Sequence, residues 1–340
     1  MSVPEAVEHL CGLQAQTTTS WYAGLWTRLR DFTPDQVVDL MLSRKLVRIA
    51  LMRSTIHLVT DRDCRFMRPL VQSVSERSFA GNWGKNLPGV DLDEVVAAGR
   101  QMLEETPLTF AALSQRLAER WPGRDGPSMA QALRVYAALV QPPPRGLWGH
   151  SGLAVHTTAE KWLGRPLDAD PSIDTLMLRY LAAFGPATPN DAGTWSGLTR
   201  LGEVFDRLRP KLRTFADEQG RELFDLPDAP RPGSDVPAPV RFLYDFDNLL
   251  LSHADRTRVL DPQRRTLLQP TMNLVRGPIL IDGFVEAAWR AEASKKAAVL
   301  TITYAARAPK KLVAHVEREG RELLEFLAPQ AGTKEVVTGE

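Results

Sequence analysis

Two glutamines separated by one small residue, Gln14-Ala15-Gln16, lie where a short amphipathic helix gives out in the run HLCGLQAQTTTSWYAGLW. Residues two apart on a helix lie about 200° apart around its axis and face nearly opposite sides. In an extended segment they point the same way. The pair therefore acts together only if the chain leaves the helix near Gly12 or Leu13, and Gly12 with Thr17-Thr18-Thr19 favours that exit. Two carboxamides supply no strong base, but they can hold a water molecule or a developing charge by hydrogen bonds. The bland reading is a pair of surface glutamines at a helix end.

Other catalytic signatures are missing. There is no phosphate-binding Gly loop or dinucleotide fingerprint, and in Gly193–Gly197 (GTWSG) the serine sits one place off a nucleophile elbow. His9 and Cys11 have no second ligand pair beside them, so no metal and no cofactor are expected. Asp245 and Asp247 form a D-x-D, which reads as a pair of hydrogen-bonding loop residues before it reads as a phosphate or metal site.

The chain has 340 residues, 44% hydrophobic and 24% charged, enough for more than one unit with its own core. Two cysteines, Cys11 and Cys64, make no disulfide framework and suit a reducing compartment. The first residues carry glutamates and no long apolar run, so no signal peptide is read. No stretch reaches about 18 uninterrupted apolar residues, so no membrane span is expected. Net charge is +1, but residues 40–70 hold a local excess of five positive charges and residues 199–213 an excess of three, mostly arginine. Arginine favours bidentate contact with planar anions.

In chain order, residues 4–13 read as a helix, followed by one that Ser20 caps and that runs to about Arg30. Thr33-Pro34-Asp35 starts the next. Ser54–Thr60 alternates as a strand, with Thr55 and His57 on one face. Helices are expected over Asp91–Glu105, from Pro107-Leu108-Thr109, and over Ser128–Val140. A strand-like GLWGHSG follows Pro142-Pro143-Pro144. Further helices are expected at Ile173–Phe184, from Thr188-Pro189-Asn190, and at Leu198–Leu208, the last a candidate recognition helix. Lys211–Ala216 and Glu222–Leu226 read as a hairpin or wing. The five prolines of residues 227–239 mark a linker. Strands at 274–276, Pro278–Ile281, Phe284–Arg290 and Ala297–Tyr304, with an Asp282-Gly283 turn, precede a helix over Ala308–Leu327 and a frayed tail from Pro329.

GLQAQ, then YAGLWTRL, LVRIALMRSTIHLV, DFDNLLLSHADRTRVL and ILIDGFVEAAW form an ordered set of landmarks across nearly the whole chain. Together they resemble the winged-helix DNA glycosylases of the AlkZ/AlkX type. The resemblance implies an α+β fold of three tandem winged-helix modules and a C-terminal antiparallel β-barrel, arranged as a C-shaped DNA clamp. The expected divisions are 1–85 (module 1, with the catalytic Q-x-Q), 86–165 (module 2), 166–228 (module 3), 229–240 (linker), 241–328 (barrel with terminal helix) and 329–340 (tail). The family's motif is Q-x-Q in one branch and Q-x-D in the other. Gln14 and Gln16 match the first, so the catalytic role carries over to them.

The activity implied is hydrolysis of the N-glycosidic bond of bulky N7-alkylated purines, including interstrand crosslinks, in repair or antibiotic self-resistance. The implied partner is double-stranded DNA carrying alkylated bases. The expected state is a monomer without membrane attachment, cytoplasmic and nucleoid-associated. Candidate DNA contacts are Arg53, Thr55 and His57 on the first strand, Arg200 and Arg207 on the third recognition helix, and the cluster His253, Asp255 and Arg256. Thirteen residues precede Gln14, fewer than the family usually carries, so a first helix is expected to be shortened or missing. The competing reading is a winged-helix transcription regulator without chemistry. A regulator would need a dimerisation element, and none is evident.

Overall fold

The computed structural model describes residues 1–233, 235–268 and 276–339. The chain divides into two compact units, one of Met1–Thr19 with Thr33–Ala229, the other of Ser20–Phe32 with Pro230–Glu340. No helix among the described residues is long and apolar enough to cross a membrane.

One topology recurs three times along the chain up to Ala229: helix, short strand, two helices, hairpin. The first pass runs α1 (Val3–His9), β1 (Leu13–Gln14), α2 (Trp21–Trp26), α3 (Pro34–Leu42), β2 (Leu46–Ala50) and β3 (Ile56–Thr60), although α2 belongs to the smaller unit. A helix does precede the glutamines. Ser2 and Glu5 form a reciprocal cap at its start, with Pro4 in the first turn. Two further helices, α4 (Asp61–Leu70) and α5 (Gln72–Asn82), follow β3 and escaped the sequence reading. The second pass is α6 (Leu92–Glu105), β4 (Leu108–Thr109), α7 (Phe110–Arg120), α8 (Gly126–Tyr136), β5 (Leu139–Val140) and β6 (Val155–Thr158), ending in α9 (Ala159–Leu163). The third has α10 (Ile173–Phe184), α11 (Pro189–Ser196), α12 (Leu201–Leu208) and the hairpin β7 (Arg213–Ala216) and β8 (Glu222–Asp225). There the short strand shrinks to Ala187, which exchanges N–H···O bonds of 2.8 and 2.9 Å with Phe224.

In the first two passes the short strand pairs antiparallel with the last strand of its own hairpin, β1 with β3 and β4 with β6. The β2–β5 pairing, Ile49 opposite Val140, joins both into one six-stranded sheet of order β1-β3-β2-β5-β6-β4. The cores cross the expected divisions as well. One apolar cluster runs from Val47, Ile49 and Val59 to Tyr180, Trp195 and Phe224, uniting the first and third passes. The second pass has its own cluster around Leu103, Leu113, Leu117 and Leu133, which also takes Phe79 of α5. Cys11 and Cys64 are core residues, their thiols pushed up to about 12 by burial.

Some expected elements are different. GLWGHSG is irregular, because Gly146 and Gly149 both take positive φ, which a strand cannot accommodate. The expected helix over Ser128–Val140 ends at Tyr136, and Leu139–Val140 belongs to β5 instead.

The smaller unit is a five-stranded sheet of order β13-β12-β11-β10-β9, from β9 (Arg241–Phe242), β10 (Gly277–Ile281), β11 (Phe284–Ala293), β12 (Ala297–Tyr304) and β13 (Thr333–Gly339), with α13 (Lys310–Leu327) packed on it. Among the described residues this sheet is open, with β9 and β13 as its edges, rather than a closed barrel. It is also mixed, since β13 runs parallel to β12 after the α13 crossover. The tail expected to fray from Pro329 thus supplies an edge strand. Most of the strand expected at 274–276 lies outside the described residues.

Ser20–Phe32 joins this unit through specific contacts. Gly24 meets the Tyr244 ring so closely that a Cβ there would lie 2.6 Å from Cδ1. Arg28 makes a two-pronged pair with the fully buried Asp247, 2.8 Å on each side. Ser20 donates its hydroxyl to Asp245 at 2.5 Å instead of capping its helix, which ends at Trp26 rather than near Arg30. Both aspartates of the D-x-D are therefore structural hydrogen-bonding residues.

Candidate active site

After α1 the chain turns at two residues of positive φ, Cys11 (53°) and Gly12 (91°), and enters β1. At Gly12 a Cβ would sit 2.7 Å from Val59 Cγ1 as well as in a disfavoured conformation. Gly12→Ala is expected to cost about 1–3 kcal/mol through strain at this turn, read as a lower melting temperature. An unchanged melting curve would refute a tight turn at this position.

The glutamine segment is extended and anchored on three sides. Gln14 sits opposite His57 in the β1–β3 ladder. Ala15 donates its N–H to Ile56 O at 2.7 Å and accepts Arg48 Nη2 at 2.9 Å. The two carboxamides have unlike surroundings. Gln14 is 5% exposed, and its Oε1 accepts from Arg53 Nη2 at 2.6 Å. Gln16 is exposed, and its Oε1 accepts the Ile56 N–H at 3.3 Å. That contact orients the amide: the oxygen keeps a second lone pair and the NH₂ group remains available to donate. The expectation that the two amides act together from one side thus needs revision, because of the two only Gln16 opens on solvent.

Arg53 was expected on a strand. It sits instead in the turn between β2 and β3, in the left-handed region (φ 55°), as does Ser54 (φ 59°). Its other nitrogen donates to Trp195 O, so it links the glutamine segment to α11. Thr55 donates its hydroxyl to Met52 O at 3.0 Å and closes the same turn. His57 is completely buried, with Nδ1 donating to Thr55 O at 2.9 Å. Burial, and then the Arg53 charge, push its imidazole down to about 3. A neutral, buried imidazole is not a phosphate contact, so His57 is corrected to a core residue.

Arg200 lies just ahead of α12 rather than in it, exposed and left-handed (φ 59°), on an open hollow with Thr194 and Leu198. Arg207 is on α12 but pairs with Asp174 of α10, Nε to Oδ2 at 3.1 Å, and any phosphate contact must compete with that carboxylate. In the smaller unit, His253 is 4% exposed, which fits a structural histidine. Asp255 accepts from the Thr257 N–H at 3.0 Å and its hydroxyl at 2.7 Å, while the Arg256 carbonyl takes the Leu260 N–H at 2.8 Å.

Much of the basic run at 40–70 is used internally. Arg44 stacks on Trp162 at 4.4 Å, Arg65 pairs with Asp168 at 3.2 Å, and the buried Arg68 donates to Val135 O at 2.5 Å. The sequence reading missed Arg134, Gln141, Arg145 and His156, which share a cavity of about 180 Å³ with Gln16 and Arg48. No spacing announces them. They belong to the second topological repeat and reach Gln16 only through the shared sheet.

The fold has a solved counterpart. The DNA glycosylase AlkZ of Streptomyces sahachiroi superposes with a TM-score of 0.75 at 22% identity, covering 100% of this chain and 94% of that one. A relative from the same organism, an interstrand DNA cross-link repair glycosylase, is 26% identical over 322 residues, which is 85% of this chain and 82% of its own. The family model described as "DNA glycosylase AlkZ-like" matches residues 7–326, and the chain belongs to that family.

Proposed function

We propose that the chain hydrolyses the N-glycosidic bond of bulky N7-alkylated purines in double-stranded DNA, interstrand crosslinks included, and leaves an abasic site. The observation that carries this reading is the anchored, non-helical Gln14-Ala15-Gln16 segment with one amide exposed, in a chain of the AlkZ-like family. An N7-alkylated guanine is cationic and leaves as a neutral base, taking the electrons of the C1′–N9 bond with it. Little acid catalysis is needed. Gln16 holds the attacking water against C1′ and steadies the oxocarbenium-like sugar. The water oxygen bonds to C1′ and its proton passes to solvent. Gln14, fixed by Arg53, positions the segment and contributes its amide dipole. No lysine adduct is involved, so the enzyme is monofunctional, and it works without metal or cofactor as a monomer in the cytoplasm, on the nucleoid.

The tandem winged-helix reading belongs to the same proposal. It is supported by the recurring order helix, short strand, two helices, hairpin, with the short strand on the hairpin's last strand each time. The Asp282-Gly283 turn, with the 48% exposed Phe284 beside it, is the hairpin that probes the DNA. Arg200, Arg207 and Arg256 are proposed phosphate contacts, Arg207 by exchange from Asp174.

The test is direct. Duplex DNA bearing N7-methylguanine or a bulkier N7 adduct is incubated with the protein and treated with alkali. Strand breaks at the lesion are expected. Tight binding without any abasic sites would favour a regulator without chemistry.

A further inference from the structure

The cavity that Gln16 shares with the second topological repeat is strongly cationic. Arg48 donates Nη2 to Ala15 O at 2.9 Å, Arg134 donates Nη2 to Ser54 O at 3.0 Å, and Arg145 donates Nη1 to Gly152 O at 2.7 Å. All three guanidinium groups are thus held by main-chain carbonyls, and among the described residues no carboxylate lines the cavity. Arg48 is 1% exposed, and Gly146 lies against it so closely that a Cβ would come within 2.9 Å of Cδ. The remaining polar wall is neutral. Gln141 Nε2 meets His156 Nε2 at 3.2 Å, and the imidazole packs against Phe110 with ring centroids 4.1 Å apart and the planes tilted by 33°. Burial, then the charges of Arg134, Arg48 and Arg145, hold His156 down to about 4, so it stays uncharged near neutral pH.

Three guanidinium groups converging without a carboxylate repel a cationic alkylpurine and attract an anion. Arginine's planar fork matches the non-bridging oxygens of a phosphate. At about 180 Å³ the cavity is roomy for a phosphodiester and tight for a bulky adduct. Its mouth carries Gln16, so whatever anion docks there is fixed next to the amide that faces the sugar.

We propose that Arg48, Arg134 and Arg145 form a docking site for one DNA phosphodiester beside the damaged nucleotide, which sets C1′ against Gln16. The identity of that nucleotide rests on the glycosylase reading; the binding of a phosphodiester does not. Arg134 and Arg145 are positioning residues, and the lesion base itself stays outside the cavity.

The test uses the full chain and a duplex with a central N7-methylguanine, with binding followed by fluorescence anisotropy over a range of salt concentrations. A second set of duplexes replaces one phosphodiester near the lesion by an uncharged methylphosphonate. Arg134→Gln and Arg145→Gln are each expected to weaken binding roughly tenfold and to lower the slope of log K against log salt by about one. Arg134→Lys keeps the slope, which separates charge from folding, and melting curves confirm that each variant is folded. Neutralising one phosphate beside the lesion costs the parent roughly tenfold and costs Arg134→Gln, which keeps only two of the three arginines, clearly less. Unchanged slopes in folded Gln variants overturn the proposal, as do equal methylphosphonate penalties in parent and variant at every position. Base release is followed on the same duplexes. A parent that shows the binding pattern but frees no base supports the phosphate site and sinks the glycosylase reading.

Discussion

Gln16→Ala should slow release of an N7-alkylated guanine by about 10²–10³-fold, roughly 2.7–4 kcal/mol of transition-state stabilisation, the usual cost of losing one preorganised polar group. The side chain is exposed and accepts the Ile56 N–H at 3.3 Å, a long contact, so the substitution should leave stability within about 0.5 kcal/mol. That separation makes the result interpretable. Gln14→Ala is a poorer probe, because it strips an acceptor from Arg53 in a part-buried site at a cost of about 1–3 kcal/mol. Single-turnover release with enzyme in excess isolates the chemical step. Equal rates for Gln16→Ala and the parent would remove Gln16 from the mechanism. A neutral amide also suits a leaving group that already carries positive charge, so the parent should favour cationic N7 adducts over neutral bases. Efficient excision of a neutral base would contradict that account.

Local signals are legible along the chain, and long-range ones are not. Caps and first-turn prolines announce the helices that start at Pro34, Phe110 and Pro189, and those expected from Asp91 and Ile173 start within a residue of their expected bounds. The wing of the third repeat was visible because a turn separates two alternating runs. The extended glutamine segment was visible because Gly12 breaks the helix before it. Where Ser20–Phe32 belongs was hidden, since its placement rests on Gly24 fitting the Tyr244 ring and Arg28 meeting Asp247, each more than 200 residues away. The threefold topology was only partly visible. Its linking strands are two residues long or a single bridge, too short to carry a period of two. His57 shows the same limit at one residue. Alternation put it on a face with Thr55, but nothing local shows that the face is buried. The arginines around Gln16 are the functional counterpart, convergent only once β2 pairs with β5.

The largest effect on stability is expected at Arg179. It clamps the fully buried Asp63 with two contacts of 2.6 Å and donates at 2.6 Å to the Glu8 carbonyl, near the end of α1. Arg179→Met would leave a carboxylate buried without its cation, which typically costs about 3–5 kcal/mol. For a unit of this size that is a fall of roughly 6–20 °C in melting temperature. Burial already raises the Asp63 carboxyl above its ordinary value while Arg179 pulls it back, so removing Arg179 raises it further. A carboxyl raised in the folded state penalises folding above its folded pKa, and the penalty is relieved as pH falls through that value. The gap between parent and variant should therefore narrow from pH 7.5 towards pH 5. A gap that widens in acid would contradict the charge argument. Adding Asp63→Asn removes the buried charge and should recover much of the lost stability at pH 7.5. It does not restore the hold on the Glu8 carbonyl, four residues before Gly12 and the glutamine segment. The double variant should fold well yet excise more slowly, by up to about 10²-fold if the segment shifts by an ångström. Full recovery of both properties would show that Arg179 serves only the ion pair and that α1 positions Gln16 without it.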